Sequence, residues 1–421
     1  MFIIPHQGVC DPHPHVWNGK VWLFTSHDRG QGNPIYRDDD WRLFSSDDLV
    51  NWKLEYTLHP EDTYLGKDEE CYATDGAYRN GKYYFYFSDQ QRSTGVAVSE
   101  TGPAGPYKDA LGKPLLPPWF VDTASYDPTV FIDDDENKTP YIIWGYTVIG
   151  KDYYIARLND DMISLAEEPR KLDIGKAWAN DATWMTKHDG VYYLNSHGGV
   201  YATSDNIYGP YTYRGCFAHD AFTDHGTFFT YHNQTYLCYA VPEDYRSMSE
   251  PMDRFYRSAK IIYAHYKDNG DVVTDDCMYD YGVGQYDTAW GDIRAEWFFA
   301  ASDGIEKREN VVNGASGFGL QAIGNNAYAA FPKVRNMNQN AEITFIVSNG
   351  TTVPCEIEIR AGSPFDHVLG AVKVNPTGAW DAYTEVTTKL ENPCGQNDLC
   401  FVFRSEAEGE ALRFDAFRVR R

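Results

Sequence analysis

Hydrophobic and polar positions alternate along this chain in short runs, and helical periodicity is nearly absent. The clearest runs follow an Asn-Gly or Asp-Gly pair, which predicts a two-residue hairpin because that turn needs positive φ. Five such runs, two of them weaker, recur roughly 45–60 residues apart. They are NGKVWLFTS at 18–26, NGKYYFYFS at 80–88, KTPYIIWGY at 138–146, DGVYYLNSH at 189–197 and HNQTYLCYA at 232–240.

A second predicted strand pair follows the hairpins, as in WRLFSSDDLVNWKL at 41–54 and GVYATSDNIYGPYTY at 199–213. Each unit then holds about four strands, and four-stranded units repeated radially form a β-propeller. The five units predict five blades. Two stacked sandwiches remain the alternative arrangement.

Near residue 290 the rhythm changes to short alternating strands separated by Gly, Asn and Pro, such as AEITFIVSN and CEIEIRAG. This pattern is typical of an antiparallel β-sandwich of the jelly-roll kind. The sequence therefore predicts an all-β protein with a propeller domain over 1–293 and a sandwich domain over 294–421.

The composition limits the classes of ligand and substrate that fit this chain. Aromatic residues make up 15% of the 421 residues, and the formal net charge is −24. Flat aromatic rings pack well in sheets and also cover the apolar faces of sugars. A surface this acidic disfavours nucleic acid and anionic membranes and tolerates neutral substrates.

The eight cysteines form no CxxC pair, which argues against a zinc ribbon. We expect mostly buried free thiols, with Cys394 and Cys400 as the best disulfide candidates. The N-terminal MFIIPHQGVCDPH does not resemble a signal peptide, so we expect a cytoplasmic protein unless a leader was trimmed.

Acidic residues precede each hairpin run, where the innermost strand of a blade would begin. They are Asp11, Asp75, Asp127, Asp181 and Asp224. We expect them at equivalent positions around one mouth of the propeller. Glycoside hydrolysis needs such carboxyl groups, one to protonate the leaving oxygen and one to activate water or attack the sugar. Crowding also raises carboxyl pKa values, which keeps an acid protonated near neutral pH.

Four motifs over about 1–290 resemble glycoside hydrolase family 43 and occur in that family's order. They are DPHPHVWNGKVWLFTSHD, YDPTVFIDDD, DATWMTKHDGVYYLNS and DHGTFFTYHNQTYLCYA. The resemblance implies an inverting glycosidase that removes arabinofuranosyl, xylosyl or related sugars, such as galactofuranosyl, from plant or microbial polysaccharides or oligosaccharides. It implies no organic cofactor.

The resemblance implies that Asp11 is the general base and that Asp127 orients the acid. The family's general acid is a Glu where this chain has Asp181. Asp is one methylene shorter, and a misplacement of about 1 Å can cost about 100-fold in rate. Three explanations stay open. Asp181 serves as the acid with a differently seated substrate, a loop acid (Glu69, Glu70 or Glu243) replaces it, or the propeller only binds sugar.

The resemblance also implies that His225 helps to hold a calcium ion on the propeller axis, although a His bonded to water fits the sequence equally well. Arg257 resembles an arginine that reaches the site from the last blade, and a surface salt bridge is its alternative role. Further candidates for the substrate-binding wall are His13, His15, Trp17, Asp75 and Trp184.

Residues 294–421 resemble carbohydrate-binding module family 6 through RAEWFFAASDGIEKRE, GNNAYAAFPKV, LGAVKVNPTGAWDAYTEV and RFDAFRV. The resemblance implies that Trp380 and Tyr328 enclose a sugar. It also implies a structural calcium ion at Glu296, Glu306 and Asp415, although Arg294 stands where a further Glu is common. A module that only supports the propeller remains an alternative for this domain. For the propeller itself, a lyase or transferase on the same scaffold remains an alternative.

Overall fold

The structure is a computed structural model that describes residues 1–30, 36–67, 70–146, 152–175, 179–217, 224–243, 256–338, 340–393 and 395–420. By its contacts the chain divides into two compact units. The first comprises Met1–Phe229, Tyr236–Ile262 and Thr274–Tyr281, and the second comprises Thr230–Thr235, Tyr263–Val273 and Gly282–Arg421. The described residues contain no helix long and apolar enough to span a membrane.

In the part of the chain that the structure describes, five four-stranded sheets form the blades of the propeller, as the repeat pattern predicts, and strand order in each sheet follows chain order. Blade 1 has β1 (Val9–Trp17), β2 (Lys20–Asp28), β3 (Asp38–Ser46) and β4 (Lys53–Leu58). Blade 2 has β5 (Cys71–Arg79), β6 (Lys82–Asp89), β7 (Ser93–Ser99) and β8 (Lys108–Asp109). Blade 3 has β9 (Thr129–Ile132), β10 (Pro140–Gly145), β11 (Tyr153–Arg157) and β12 (Arg170–Lys171).

Blade 4 has β13 (Trp184–His188), β14 (Val191–Ser196), β15 (Val200–Ser204) and β16 (Thr212–Cys216). Blade 5 has β17 (Asp224–Tyr231), β18 (Gln234–Pro242), β19 (Arg257–Tyr266) and β20 (Val272–Thr274). Short 3₁₀ turns lie at Pro60–Asp62, Asp276–Tyr279, Thr288–Trp290 and Ala295–Trp297.

The hairpin turns have the geometry that their sequences demand. Asn18 and Gly19 have φ of 53° and 74°, and Asp189 and Gly190 have φ of 48° and 80°. Positive φ at both central residues matches the right-handed twist of the two strands they join. These turns fix the pairing of the two strands at the hairpin end of each blade.

The core of the propeller lies between neighbouring blades. Aromatic residues of blades 1 and 2, among them Phe24, Trp41, Phe85 and Phe87, form one buried cluster, and similar clusters join blades 2 and 3 and blades 3 and 4. The hydroxyl of Thr227 on β17 donates to the Pro12 carbonyl on β1 at 3.0 Å, so the last blade meets the first.

The second unit is a β-sandwich with two sheets of six strands each. One sheet has the order β21 (Tyr286–Asp287), β26 (Ala327–Met337), β31 (Gly395–Ser405), β28 (Cys355–Ala361) and β29 (Val368–Val374), with β23 (Ala300–Ala301) on β26. The other has the order β24 (Ile305–Val312), β25 (Ala315–Ile323), β32 (Glu410–Arg420), β27 (Glu342–Ser348) and β30 (Thr384–Lys389), with β22 (Ile293–Arg294) on β32. Phe331, Phe345, Phe401, Phe414 and Phe417 fill the core between them.

The thiols of Cys10, Cys238, Cys355 and Cys400 are free, and all four are buried. Cys394 lies outside the described residues. The division at residues 293 and 294 stays a prediction.

Candidate active site

The innermost strands of four blades begin beside a residue with left-handed backbone geometry. Asp11, Asp127, Ala182 and His225 have φ of 48°, 50°, 52° and 46°. Residues other than glycine rarely adopt this conformation, and those that do cluster at functional sites. These four residues mark one equivalent position in blades 1, 3, 4 and 5.

We expected a carboxylate at the same position in every blade, and the structure corrects this. Asp181 comes one residue before Ala182, and Asp224 comes one residue before His225. Both carboxyl groups nevertheless line the same cavity as Asp11. The carboxyl groups therefore line one cavity even though the strand register differs between blades.

A cavity of about 200 Å³ lies at this end of the propeller. Its walls are polar and combine carboxyl groups, phenols, two imidazoles and one guanidinium. The lining residues are Asp11, Tyr36, Asp38, Tyr72, Ala73, Gln91, Tyr126, Asp127, Asn180, Asp181, His197, Asp224, His225 and Arg257.

Arg257, the first residue of β19, is the buried cation of the cavity. Its Nη1 donates to Asp11 Oδ1 at 2.6 Å and to Asp224 Oδ2 at 2.7 Å. Its Nη2 donates to Asp28 Oδ1 at 2.9 Å, and its backbone N–H donates to Asp28 Oδ2 at 2.7 Å. Nearby carboxylates raise the guanidinium pKa further despite its burial, so it is permanently charged.

Asp11 is held from two sides. Arg257 pairs with Oδ1, and the Ser26 hydroxyl donates to Oδ2. His225 Nε2 lies 3.4 Å from Asp11 Oδ1 and 3.9 Å from Asp127 Oδ2. A carboxylate has about four lone-pair sites, so these contacts orient Asp11 and leave acceptor capacity toward the cavity.

Asp127, which is buried, and Asp181, which is partly exposed, form a carboxyl pair. Burial raises the pKa of Asp127 well above its usual range, and the neighbouring Asp181 raises it further. The Tyr126 hydroxyl donates to Asp181 Oδ1 at 2.8 Å. Burial and the Asp181 charge also raise the pKa of Tyr126, so its hydroxyl keeps the proton that it donates. The raised pKa favours the protonated form of Asp127 beside the cavity.

Asp224 stands in the opposite electrostatic environment. Burial alone would raise its pKa, but His225, His197 and Arg257 outweigh that effect and lower it well below the usual range. His197 Nδ1 lies 3.1 Å from Asp224 Oδ1, and this hydrogen bond raises the pKa of His197. The cavity thus contains a carboxyl group whose pKa is raised, Asp127, and one whose pKa is lowered, Asp224.

Comparison with known proteins places the chain in a family. The model of glycosyl hydrolases family 43 matches residues 6–270. The chain belongs to glycosyl hydrolase family 43. The model of carbohydrate binding module family 6 matches residues 295–421.

An arabinoxylan arabinofuranohydrolase of Paenibacillus polymyxa is 25% identical over 99% of this chain and 73% of that protein. The structure of a family 43 arabinoxylan arabinofuranohydrolase from Bacillus subtilis in complex with cellotetraose has a TM-score of 0.60 at 21% identity, covering 99% of this chain and 96% of that one. This likeness supports the fold over the whole chain. The β-xylosidase/α-arabinofuranosidase CoXyl43 from a compost microbial metagenome, in complex with xylotriose in calcium-free form, is 26% identical, with a TM-score of 0.55 over 65% of this chain and 96% of that one.

All five expected wall residues of this family 43 glycosidase lie outside the cavity lining: His13, His15, Trp17, Asp75 and Trp184. Asp75 is fully buried, and its Oδ1 lies 2.6 Å from His15 Nε2 while its Oδ2 accepts from the Val130 N–H at 2.6 Å. His13 and Trp184 are also buried and pack together with ring centroids 4.8 Å apart. These side chains therefore support the floor beneath the carboxyl cluster.

Asp75 occupies a different position from Asp11 because of strand register. It lies four residues before Arg79, the last residue of its strand, whereas Asp11 lies six residues before Trp17 at the equivalent hairpin. This offset of two residues carries Asp75 away from the mouth.

The loop acids considered as replacements for Asp181 do not line the cavity in the described residues. Glu243 accepts from the backbone N–H of His6 at 2.6 Å, and Glu70 lies 3.8 Å from Arg37. Glu69 lies outside the described residues. Asp181 is therefore the acid that the structure brings to the expected place.

Several cavity residues were not expected from the sequence. Tyr126 is the first residue of the YDPTVFIDDD motif that contains Asp127, and its position there was a usable signal. Asp28 and Asp38 face each other across β2 and β3, and burial together with Asp28 raises the pKa of Asp38. No local pattern reveals such a pairing of strand ends.

One group of cavity residues fits a cation. Ligand atoms of Asp11, Asp224 and His225 lie within 4.8 Å of one another. Calcium prefers oxygen ligands, which the two carboxylates supply, and His225 adds one nitrogen. Both carboxylates also bind Arg257, so only part of their acceptor capacity is open.

The expected sugar sandwich of Trp380 and Tyr328 does not form. Trp380 lies beside Arg413 and lines a cavity of about 500 Å³ that also includes Tyr383. Tyr328 belongs to β26 of the other sheet, pairs with Val402, and is not in that lining. The other aromatic residues that line the Trp380 cavity are Tyr383 and Phe318. The partner of a loop residue depends on how the loop folds, which the local sequence does not show.

The expected calcium ligands of the sandwich are also corrected. Glu306 is exposed on β24 and does not join the other two acids. Glu296 and Asp415 are buried together, but both bind the Arg294 guanidinium. These residues do not fit a calcium site in this chain.

Proposed function

We propose that the propeller removes single terminal arabinofuranosyl or xylosyl residues from plant polysaccharides or oligosaccharides by inverting hydrolysis. The observation that carries this proposal is the convergence of Asp11, Asp127 and Asp181 on one polar cavity. At about 200 Å³ the cavity is smaller than the roughly 300–1,000 Å³ pockets of drug-sized ligands, which suits one terminal sugar. The named activities of the relatives support the same class of substrate.

Asp11 acts as the general base in this proposal. Arg257 and Ser26 hold its carboxylate in one orientation, and its remaining lone pairs accept a proton from the attacking water. Preorganisation of this kind avoids rearrangement during the reaction and contributes strongly to catalysis.

Asp181 acts as the general acid, and Asp127 is its positioning partner. The raised pKa of Asp127 and the closeness of the two carboxyl groups keep a proton in the pair. The proton shared by the two carboxyl groups moves to Asp181 and from there to the leaving oxygen, which leaves the pair without its proton. The Tyr126 hydroxyl donates to Asp181 Oδ1 throughout. A substrate seated slightly deeper than in a Glu-containing site compensates for the missing methylene.

Calcium, when bound, would be held by His225 with carboxylate oxygens of Asp11 and Asp224. It would add positive charge near the base and help to orient the water and sugar hydroxyls. The calcium-free form named for CoXyl43 supports testing this ion.

The test is hydrolysis of nitrophenyl α-L-arabinofuranoside, β-D-xyloside and β-D-galactofuranoside by the full chain. We expect Asp11→Asn and Asp181→Asn each to lower kcat about 1,000-fold or more, since each removes one half of acid–base catalysis. Asp189→Asn is the matched control, because Asp189 is exposed in a hairpin turn where Asn occurs in other blades. Proton NMR of the first product anomer should show inversion.

Two results would overturn the proposal. One is full activity in Asp11→Asn. The other is sugar binding without turnover of any panel substrate by the unmodified chain, which would identify a binding protein. Retention of anomeric configuration would overturn the inverting mechanism alone.

A further inference from the structure

A buried acidic cage in the β-sandwich contains a side-chain cation. Glu296 and Asp415 are 4% and 2% exposed, and the Arg294 side chain lies between them at 28% exposure. Two buried carboxylates need a compensating charge, because an uncompensated buried charge is strongly destabilising. The question is which cation the fold provides.

The guanidinium contacts oxygen atoms on several sides. Arg294 Nη1 donates to Asp415 Oδ2 at 2.9 Å and Nη2 donates to Asp415 Oδ1 at 2.8 Å, which is a bidentate pair. Nη2 also donates to the Phe318 carbonyl at 2.8 Å, and Nε donates to Glu296 Oε1 at 3.2 Å. Carboxylate and carbonyl oxygens around one positive centre are also the ligands that calcium prefers.

The surrounding strands leave room for this arrangement. A Cβ atom at Gly317 would lie 3.3 Å from Arg294 Nη2 and 3.7 Å from Asn310 Oδ1, so glycine keeps the space beside the cage open. Asn310 Nδ2 donates to Asp415 Oδ1 at 2.8 Å, while its buried Oδ1 has no hydrogen-bond donor. The Asn310 oxygen is thus a further acceptor at the edge of the cage.

We propose that the Arg294 guanidinium is the built-in structural cation of the sandwich, in place of a bound divalent ion. The sandwich is then stable without calcium. Removing the guanidinium converts the cage into a calcium site, because Glu296, Asp415, the Phe318 carbonyl and Asn310 remain as oxygen ligands. This inference stands on the sandwich alone and does not depend on the proposed activity of the propeller.

The experiment compares the full chain with Arg294→Ala in EDTA and in 5 mM CaCl₂, at ionic strength matched with NaCl. The readout is hydrogen exchange in peptides covering 294–298 and 412–418, which reports on the cage and not on calcium bound elsewhere. We expect no calcium effect in the unmodified chain. In Arg294→Ala we expect exchange about tenfold faster in EDTA, with protection restored by CaCl₂.

Arg418→Ala is the matched control. Arg418 lies on β32 of the same sheet as Asp415 and binds Asp292 at 3.1 Å on a surface-accessible side, so its loss should produce no calcium dependence. Arg294→Lys keeps one positive charge and should also remain insensitive to calcium. If Arg294→Ala does not fold, Arg294→Lys remains as a folded variant for the same measurement.

Calcium-dependent protection of the cage peptides in the unmodified chain would overturn the proposal. So would a folded Arg294→Ala variant whose cage peptides gain no protection in CaCl₂. A calcium response in Arg294→Lys equal to that of Arg294→Ala would show that positive charge at residue 294 does not replace the ion.

Discussion

At the residue scale, the departure at Asp181 is the feature that most affects the chemistry. The motif around Asp181 identified both the position and the missing methylene, because both depend on local sequence. Its contacts could not be predicted, since Tyr126 reaches Asp181 from another blade. A hydrogen bond between residues 55 apart in sequence is set by the packing of whole blades.

We predict that Tyr126→Phe lowers kcat on nitrophenyl α-L-arabinofuranoside about tenfold. The change removes the hydroxyl that fixes Asp181 Oδ1, and loss of one orienting hydrogen bond costs about 1–1.5 kcal/mol. Steady-state kinetics should place the loss in kcat rather than KM. Tyr146→Phe is the control, because Tyr146 packs edge-to-face against Tyr126 without contacting Asp181 in the described hydrogen bonds. An unchanged kcat in Tyr126→Phe would contradict the role of this contact.

We predict a pH-dependent stability contribution from Asp75. Burial alone would raise its pKa, but His15 and His13 lower it to about 2, below the ordinary 3.8. A depressed folded-state pKa stabilises the fold above the unfolded-state value, and the contribution is lost as pH falls from about 4 to 2. The difference corresponds to roughly 2 kcal/mol.

Urea unfolding of the unmodified chain and of Asp75→Asn between pH 5 and pH 2.5 measures this contribution. The difference between their unfolding free energies should shrink as pH falls. A difference that stays constant over this range would assign the whole effect of the substitution to lost packing.

At the element scale, turn chemistry made the hairpins predictable, but the register of the inner strands was not. Asn-Gly and Asp-Gly fix φ at the turn whatever the tertiary context. The mouth positions depend instead on β-bulges, such as the shift between Cys10 and His13 and the shift between Tyr72 and Thr74. A bulge adds one unpaired residue without a clear mark in the sequence, so the expectation of aligned carboxylates was wrong in detail.

We predict that the segment before β1 stabilises the last blade. The backbone N–H of Ile3 donates to the Ala259 carbonyl on β19 at 3.0 Å, and the Ser258 hydroxyl donates to the Ile4 carbonyl at 3.1 Å. Ile3→Pro removes the first donor and should lower the free energy of unfolding by about 1 kcal/mol relative to Ile3→Ala, which keeps it. Equal unfolding free energies for the two variants would show that this strand contact adds nothing.

At the scale of the whole molecule, the sequence predicted both architectures because each depends on patterns repeated over many residues. Five hairpin runs specify five blades, and a weak pattern in one run does not change the predicted number of blades. The sugar and ion sites of the sandwich were predicted less well, because each depends on a few loop or strand-end residues. Arg294 illustrates this: its charge was visible in the sequence, but its bidentate pairing with Asp415 across 121 residues was not.

A polysaccharide is longer than the cavity, so its sugars outside the cavity must contact the protein surface around the opening. Trp119 and Phe120 are 71% and 41% exposed in the segment that leads to Tyr126 and Asp127. The Ser125 hydroxyl donates to the Pro117 carbonyl at 2.9 Å, which closes this segment into a loop directly before Tyr126 of the cavity lining. Exposed rings at such a place suit stacking against the apolar faces of backbone sugars.

We predict that Trp119→Ala lowers kcat/KM on arabinoxylan about fivefold and leaves the nitrophenyl arabinofuranoside unaffected. Burial of part of the indole against the polymer contributes about 1 kcal/mol, whereas an aryl glycoside does not extend to this surface. Tyr213→Ala is the control, since Tyr213 is 50% exposed on the outermost strand β16. Equal losses on both substrates would instead assign Trp119 to the structure of the cavity wall. An unchanged kcat/KM on arabinoxylan would show that the Trp119 ring does not contact the polymer.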